Sequence, residues 1–159
     1  MTEKNGFSLL ELVIVVAIIL TITAIAVPSF MRSRIAANES AAVTHIRTLS
    51  TAEIAYAQTY PQIGYTCTIA ELGPPPSGSP LSSTTAGIID SVLASGTKQG
   101  YSFSLTNCAG TPKVTYNSVG VPTNTSTGVR SFCSNAAGII WYGADGTVST
   151  CQSAGVIIR

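Results

Sequence analysis

Charge is scarce in this chain. Only 9% of its 159 residues are charged, and the formal net charge is +1. With no basic or acidic excess there is no long-range pull toward polyanions, so nucleic acid is not expected as a direct ligand. Histidine is scarcer still, His45 being the only one. A Cys/His zinc site therefore has little to draw on. The four cysteines, Cys67, Cys108, Cys133 and Cys151, also lack the short C-x-x-C spacing that such a site uses. Past residue 60 the acids are Glu71, Asp90 and Asp145. They are too few and too scattered to build a calcium cage from side chains. No G-x-S-x-G elbow and no glycine-rich phosphate loop is present. These gaps argue against an enzyme and leave no cofactor or metal to expect.

What the chain does have is concentrated at its start. Phe7 to Val27 is a run of 21 residues in which Glu11 is the only charge. About 20 apolar residues suffice for a helix to cross a bilayer. A plain secretory signal would need a shorter core, followed by a small-x-small cleavage site. Here the run is longer and continues into Pro28-Ser-Phe-Met-Arg-Ser-Arg. Basic residues lie on both sides of the span, Lys4 before it and Arg32, Arg34 and Arg47 after it. Counting them alone would place the C-terminal part in the cytoplasm. Four cysteines at wide spacing instead suit two disulfides in an oxidising compartment, with three pairings open. The cysteines are given the greater weight.

The acid is the unusual feature. An ionised carboxylate at the centre of a spanning helix costs about 2.5–3.5 kcal/mol on translocon scales. Near the start of the segment it can also reach back to the headgroups. The segment Gly6-Phe7-Ser8-Leu9-Leu10-Glu11-Leu12, followed by the apolar run, resembles the processing motif of type IV prepilins and pseudopilins. The tight match covers about the first 30 residues; the remainder agrees in architecture only. The resemblance implies that residues 1–6 are a leader and that a prepilin peptidase cuts between Gly6 and Phe7. It implies that Phe7 is then N-methylated. It also implies that Glu11 of one subunit meets the Phe7 amine of a neighbour in a filament core. A charge in an apolar bundle disfavours every register that leaves it unpaired, so such a pair would select one stagger.

Beyond the span, residues 29–59 contain neither Gly nor Pro. Ala42, Ile46, Leu49, Tyr56 and Tyr60 fall on one helical face. Arg32, Arg34, Asn38, Glu39 and Arg47 decorate the remainder. The expected element is one helix over about 7–59, kinked near Pro28, roughly 80 Å long and ended by Tyr60-Pro61. Ala17, Thr21 and Ala24 form a stripe of small residues that permits close helix contact. His45 has no acid at helical spacing and is expected on the surface or against the sheet.

The second half reads as short strands between turns. These are Tyr101–Thr106, Lys113–Ser118, Val129–Ser134, Gly138–Tyr142 and, after an Asp145-Gly146 turn, Thr147–Thr150, with a short helix over Ile88–Ala94. Residues 73–80 read as an exposed, proline-stiffened loop. The expected fold is α+β: a long N-terminal helix, its apolar half protruding, packed on an antiparallel sheet of about four strands. The pairing drawn is Cys67 with Cys108 and Cys133 with Cys151. The latter resembles the disulfide-bounded C-terminal region of many pilins.

The expected organisation is a leader over 1–6, a membrane and filament-core segment over 7–28, and a globular head over 29–159. The resemblance implies a structural subunit of a type IV pilus. Its partners would be copies of itself, the prepilin peptidase, an inner-membrane assembly platform and, as a monomer, the membrane. The head would sit in the periplasm before assembly and outside the cell after it. Attachment, twitching motility and DNA uptake are the outputs it allows. A type II secretion pseudopilin and a minor adhesive subunit at a filament tip are the alternatives. The major pseudopilins typically hold calcium, and the paucity of acids here favours the pilin.

Overall fold

The computed structural model describes residues 8–147, 151–153 and 155–158. The chain falls into two compact units, one ending at Arg34 and one spanning Ile35–Arg159. The first helix, α1, is Leu9–Thr59, 51 residues with Pro28 inside it. Its end agrees with the expectation. The Tyr60 N–H still reaches the Tyr56 carbonyl, but Pro61 has no N–H with which to continue the ladder.

The apolar part of α1, Leu9 to Val27, has no buried residue. Leu9 is 80% exposed and Ile25 is 74% exposed. Buried positions begin at Glu39 and then follow Ala42, Ile46, Leu49, Ala52, Glu53 and Tyr56. That spacing keeps one stripe against the sheet. On the sheet side β2 (Tyr101–Gly110) presents Tyr101, Phe103 and Leu105 inward, with Ser102 and Ser104 outward. Tyr116, Phe132 and Ile140 complete the core with Leu72, Ile89 and Leu93. Helix and sheet approach closely at Gly120, where a Cβ would come within 2.8 Å of the Phe103 ring and 3.6 Å of Ile46.

The sheet is an antiparallel meander in chain order. Its strands are β1 (Thr97–Lys98), β2, β3 (Lys113–Pro122), β4 (Ser131–Asn135), β5 (Ile140–Gly143) and β6 (Val156–Ile157). The four central strands match the expected ones. The two edge strands have two residues each, too short to show an alternating pattern. The β2–β3 hairpin runs further than expected. A register shift after Thr106 carries the pairing past the turn-prone Asn107, on to Ala109–Thr115 and Gly110–Lys113.

The short helix is reduced to α2 (Ser91–Ala94), because the Asp90 carboxylate caps it by accepting the Val92 and Leu93 N–H groups. Before it, the Ile88 and Ile89 N–H groups go to the Leu72 carbonyl instead. That carbonyl ends a 3-10 turn over Ile69–Leu72 for which the sequence carried no signal. Of the expected last strand, residues 148–150 lie outside the described residues. Thr147 is not in a strand and donates its N–H to the Asp145 carboxylate.

Two bonds between cysteines join Cys67 to Cys108 and Cys133 to Cys151, each with Cα atoms 6.0 Å apart. These are the pairs drawn from the sequence. The first ties the segment after α1 to β2, and the second ties β4 to the C-terminal segment.

Glu39, expected among the outward decoration, is instead buried. Its Oε1 accepts the N–H groups of Val129 and Arg130 at 3.0 and 3.1 Å, and its Oε2 meets Arg130 Nε at 3.0 Å. Beside it Asn38 Nδ2 donates to the Thr127 carbonyl. A polar helix residue is thus buried because a loop with orphan backbone donors docks on it. His45 lies at the sheet, edge-on to Phe103, with Nε2 2.8 Å from Gln99 Oε1.

Candidate functional site

The first turn of α1 holds Glu11. Gly6 and Phe7, the other residues singled out at this end, lie outside the described residues. Ser8 is the last non-helical position before Leu9. Its carbonyl accepts the Leu12 N–H at 3.2 Å, the first helical bond. The Ser8 hydroxyl accepts the Leu10 N–H at 3.3 Å, and the Ser8 N–H donates to Glu11 Oε2 at 2.9 Å. This is the S-x-x-E capping box with its serine bond made to the second rather than the third helical N–H: the N-cap hydroxyl takes the Leu10 donor and the acid three residues on takes the serine's own N–H.

Glu11 is therefore not unsatisfied within its own chain, and the negative charge also complements the positive end of the helix dipole. The sequence contained the signal, Ser8-x-x-Glu11 ahead of an apolar run. The same acid can also answer to the headgroups or to a neighbouring subunit, so its role as a cap is not apparent from its place in an apolar run alone. One bond does not exhaust a carboxylate, which has about four lone-pair sites over its two oxygens.

The remainder of the segment is compatible with a lipid or a protein environment. Its hydroxyls are satisfied internally: Thr21 donates to the Ala17 carbonyl at 2.8 Å and Thr23 to the Ile19 carbonyl at 3.0 Å. This lets threonine sit where no water is available. Ala17 and Thr21 do share a face, where they line a shallow apolar trough together with Ile14, Ile18 and Ile22. Ala24, the third residue of the expected stripe, does not line it. Pro28 sits beyond, and without an N–H it leaves the Ala24 carbonyl without its usual helical donor.

The surface formed is large. Leu9, Leu10, Leu12, Val13, Ile14, Val15, Val16, Ile18, Ile19, Leu20, Ile22, Ile25 and Val27 are all at least 45% exposed. Contiguous apolar patches beyond a few hundred Å² mark a membrane or protein contact. Across the head, the described residues include no group of three or more His, Cys, Asp or Glu placed to hold a metal ion. Asp90 is committed to its helix cap and to Lys98, whose ammonium lies 2.8 Å away, and this pairing holds its carboxyl below the usual range.

No curated protein and no solved structure matches the chain. One family model matches residues 1–27, that of the prokaryotic N-terminal methylation motif. The match takes in the Gly6-Phe7 pair, the capping box and the whole apolar run. With its exposed apolar helix segment, antiparallel sheet and two disulfides, the protein has a pilin-like α+β fold carrying the N-terminal methylation motif typical of type IV prepilins and pseudopilins.

Proposed function

We propose that this protein is the structural subunit of a type IV pilus and that it polymerises through the apolar segment of α1. The observation that carries the reading is the methylation motif standing directly on a helix whose apolar residues the chain itself does not bury. In this reading a prepilin peptidase removes residues 1–6, Phe7 becomes the methylated N-terminus, and the segment over 7–28 waits in the inner membrane. The head, residues 29–159, waits in the periplasm, a compartment that suits two disulfides. An assembly platform then extracts the subunit into a filament of identical copies.

Glu11 has a separate task at each stage. In the monomer it caps its own helix. In the filament the same carboxylate, at the edge of a dry helix bundle, meets the Phe7 amine of a neighbour, which stays cationic after monomethylation. An unpaired charge is costly there, so only staggers that bring the two together are accepted. The remaining apolar contacts supply adhesion without register.

The test is to shear surface filaments from cells producing the protein, image them, and determine the mass and N-terminus of the main band. A dominant species beginning at N-methyl-Phe7 is expected. Protein confined to the periplasm, with export of other proteins lost on deletion, would overturn the reading in favour of a secretion pseudopilin. A trace species in otherwise intact filaments would overturn it in favour of a minor subunit.

A further inference from the structure

The head carries a second carboxylate, Glu53, that the filament reading does not use. Glu53 is fully buried on the sheet-facing stripe of α1. Its Oε2 accepts the Thr66 N–H at 2.9 Å, while Oε1 has no hydrogen-bond partner. Thr66 is itself fully buried, and its hydroxyl donates to Glu71 Oε2 from the 3-10 turn. Two carboxylates therefore converge on one residue, one taking its amide and the other its hydroxyl.

Thr66 is where the segment after α1 is fastened. Cys67, the next residue, is bonded to Cys108, and the Cys108 sulfur lies 3.7 Å from the Thr66 carbonyl. Just before it, Tyr65 and Ile63 exchange backbone bonds with Lys113 of β3. The charged and titratable groups facing Glu53 are few: Glu71, Lys113 and Tyr116 of β3, and Tyr56 on its own helix. Lys113 is the single cation among them. Its attraction for a Glu53 charge is opposed by the like charge of Glu71 and, more strongly, by burial.

An ionised Glu53 has no second hydrogen-bond donor here and repels Glu71. A neutral Glu53 keeps the Thr66 bond through its carbonyl oxygen and carries its proton on Oε1, the oxygen without a partner. We propose that Glu53 is a proton-operated latch, which holds residues 60–73 against α1 when neutral and frees them when ionised, the Cys67–Cys108 bond limiting how far they part. The latch belongs to the head and does not depend on how the filament is built.

The sign follows from linkage. Burial, opposed by the Thr66 bond and assisted by Glu71, raises the Glu53 carboxyl from 4.5 to about 7. For a raised acid the closed state binds the proton more tightly than the open state. The latch is at full strength below pH 4.5, weakens by up to about tenfold per pH unit as pH rises, and levels off above pH 7.

The test is hydrogen exchange of the full chain in detergent micelles, read on peptides from residues 60–73 and corrected for the intrinsic pH dependence of exchange. Protection in that segment is expected to fall about 50-fold between pH 5 and pH 8, with little change in β2 to β4. In Glu53→Gln, which mimics the neutral acid, the segment should stay protected and lose its pH dependence. In Glu71→Gln the fall should begin at the same pH but level off at lower pH and be smaller, because removing the like charge eases ionisation in the closed state and lowers the closed-state midpoint toward the ordinary value. A flat wild-type profile, or a Glu53→Gln profile equal to wild type, would overturn the latch. Should Glu53→Gln not fold, carboxyl-carbon NMR of the wild type still decides. One glutamate titrating near pH 7 is expected, and all of them near pH 4.5 would rule it out.

Discussion

Glu11 shows how one side chain can meet two demands. Its carboxylate takes the Ser8 N–H at 2.9 Å, so it closes the first turn of its own helix. The proposed filament asks for its charge as well. Gln serves in a capping box as Glu does, but it carries no charge. Glu11→Gln is therefore expected to insert and be processed as wild type yet give far fewer filaments. Glu11→Ala should lose the filaments and also about 1 kcal/mol of helix-start stability. Surface filament yield in cells lacking the wild-type copy separates the two. Equal yields of Glu11→Gln and wild type would show that the cap, not the charge, is what matters. Glu39 and Glu53 teach the complementary lesson. On a helical wheel Glu39 reads as an exposed acid, because the pattern shows which side is apolar but not which loop will bring backbone donors to it. The two N–H groups it accepts come from residues about 90 positions away.

Among the elements, α1 was the most legible, since an uninterrupted apolar run followed by a 3.6-residue periodicity has few other solutions. Its C-terminal end was legible for the same kind of reason, a proline that cannot donate. The central strands were legible from alternation, as in Tyr101-Ser-Phe-Ser-Leu. The edge strands and the 3-10 turn were not, because elements of two to four residues are set by what they pair with. The bonds between cysteines hold those weakly specified pieces. The one closing 41 residues and the one closing 18 each contribute about 3–4 kcal/mol by loop-closure entropy. Replacing Cys67 and Cys108 together by serine is expected to lower the unfolding free energy by that amount. Urea titration of the protein in detergent, followed by tryptophan fluorescence of Trp141, would measure it. Replacing Cys133 and Cys151 should cost slightly less, since the closed loop is shorter.

At the scale of the whole molecule, burial is divided unevenly. Among the described residues, every buried core position lies at Glu39 or later. The head therefore has a core of its own, and the segment before it has none. A chain lacking residues 1–34 is expected to stay monomeric in detergent-free buffer and to unfold within a few degrees of the full-length protein in micelles. Calorimetry and sedimentation would test both. Aggregation of the truncated chain, or its failure to fold, would show that residues before Ile35 support the head. Filaments should be absent from such a chain, as the surface proposed to drive polymerisation has been removed.

The long helix, the unburied apolar segment with its single acid, the methylation motif and the central antiparallel strands are all written in the order of residues along the chain. Each depends on residues close together in the chain, through periodicity, alternation or a short motif. That Glu39 is a buried anchor, that Glu53 and Glu71 converge on Thr66, and that the strands follow one another as a meander emerges from the folded chain alone. Those facts depend on contacts between residues distant in sequence. There the need to satisfy buried donors and to fill a core overrides what any local pattern prefers.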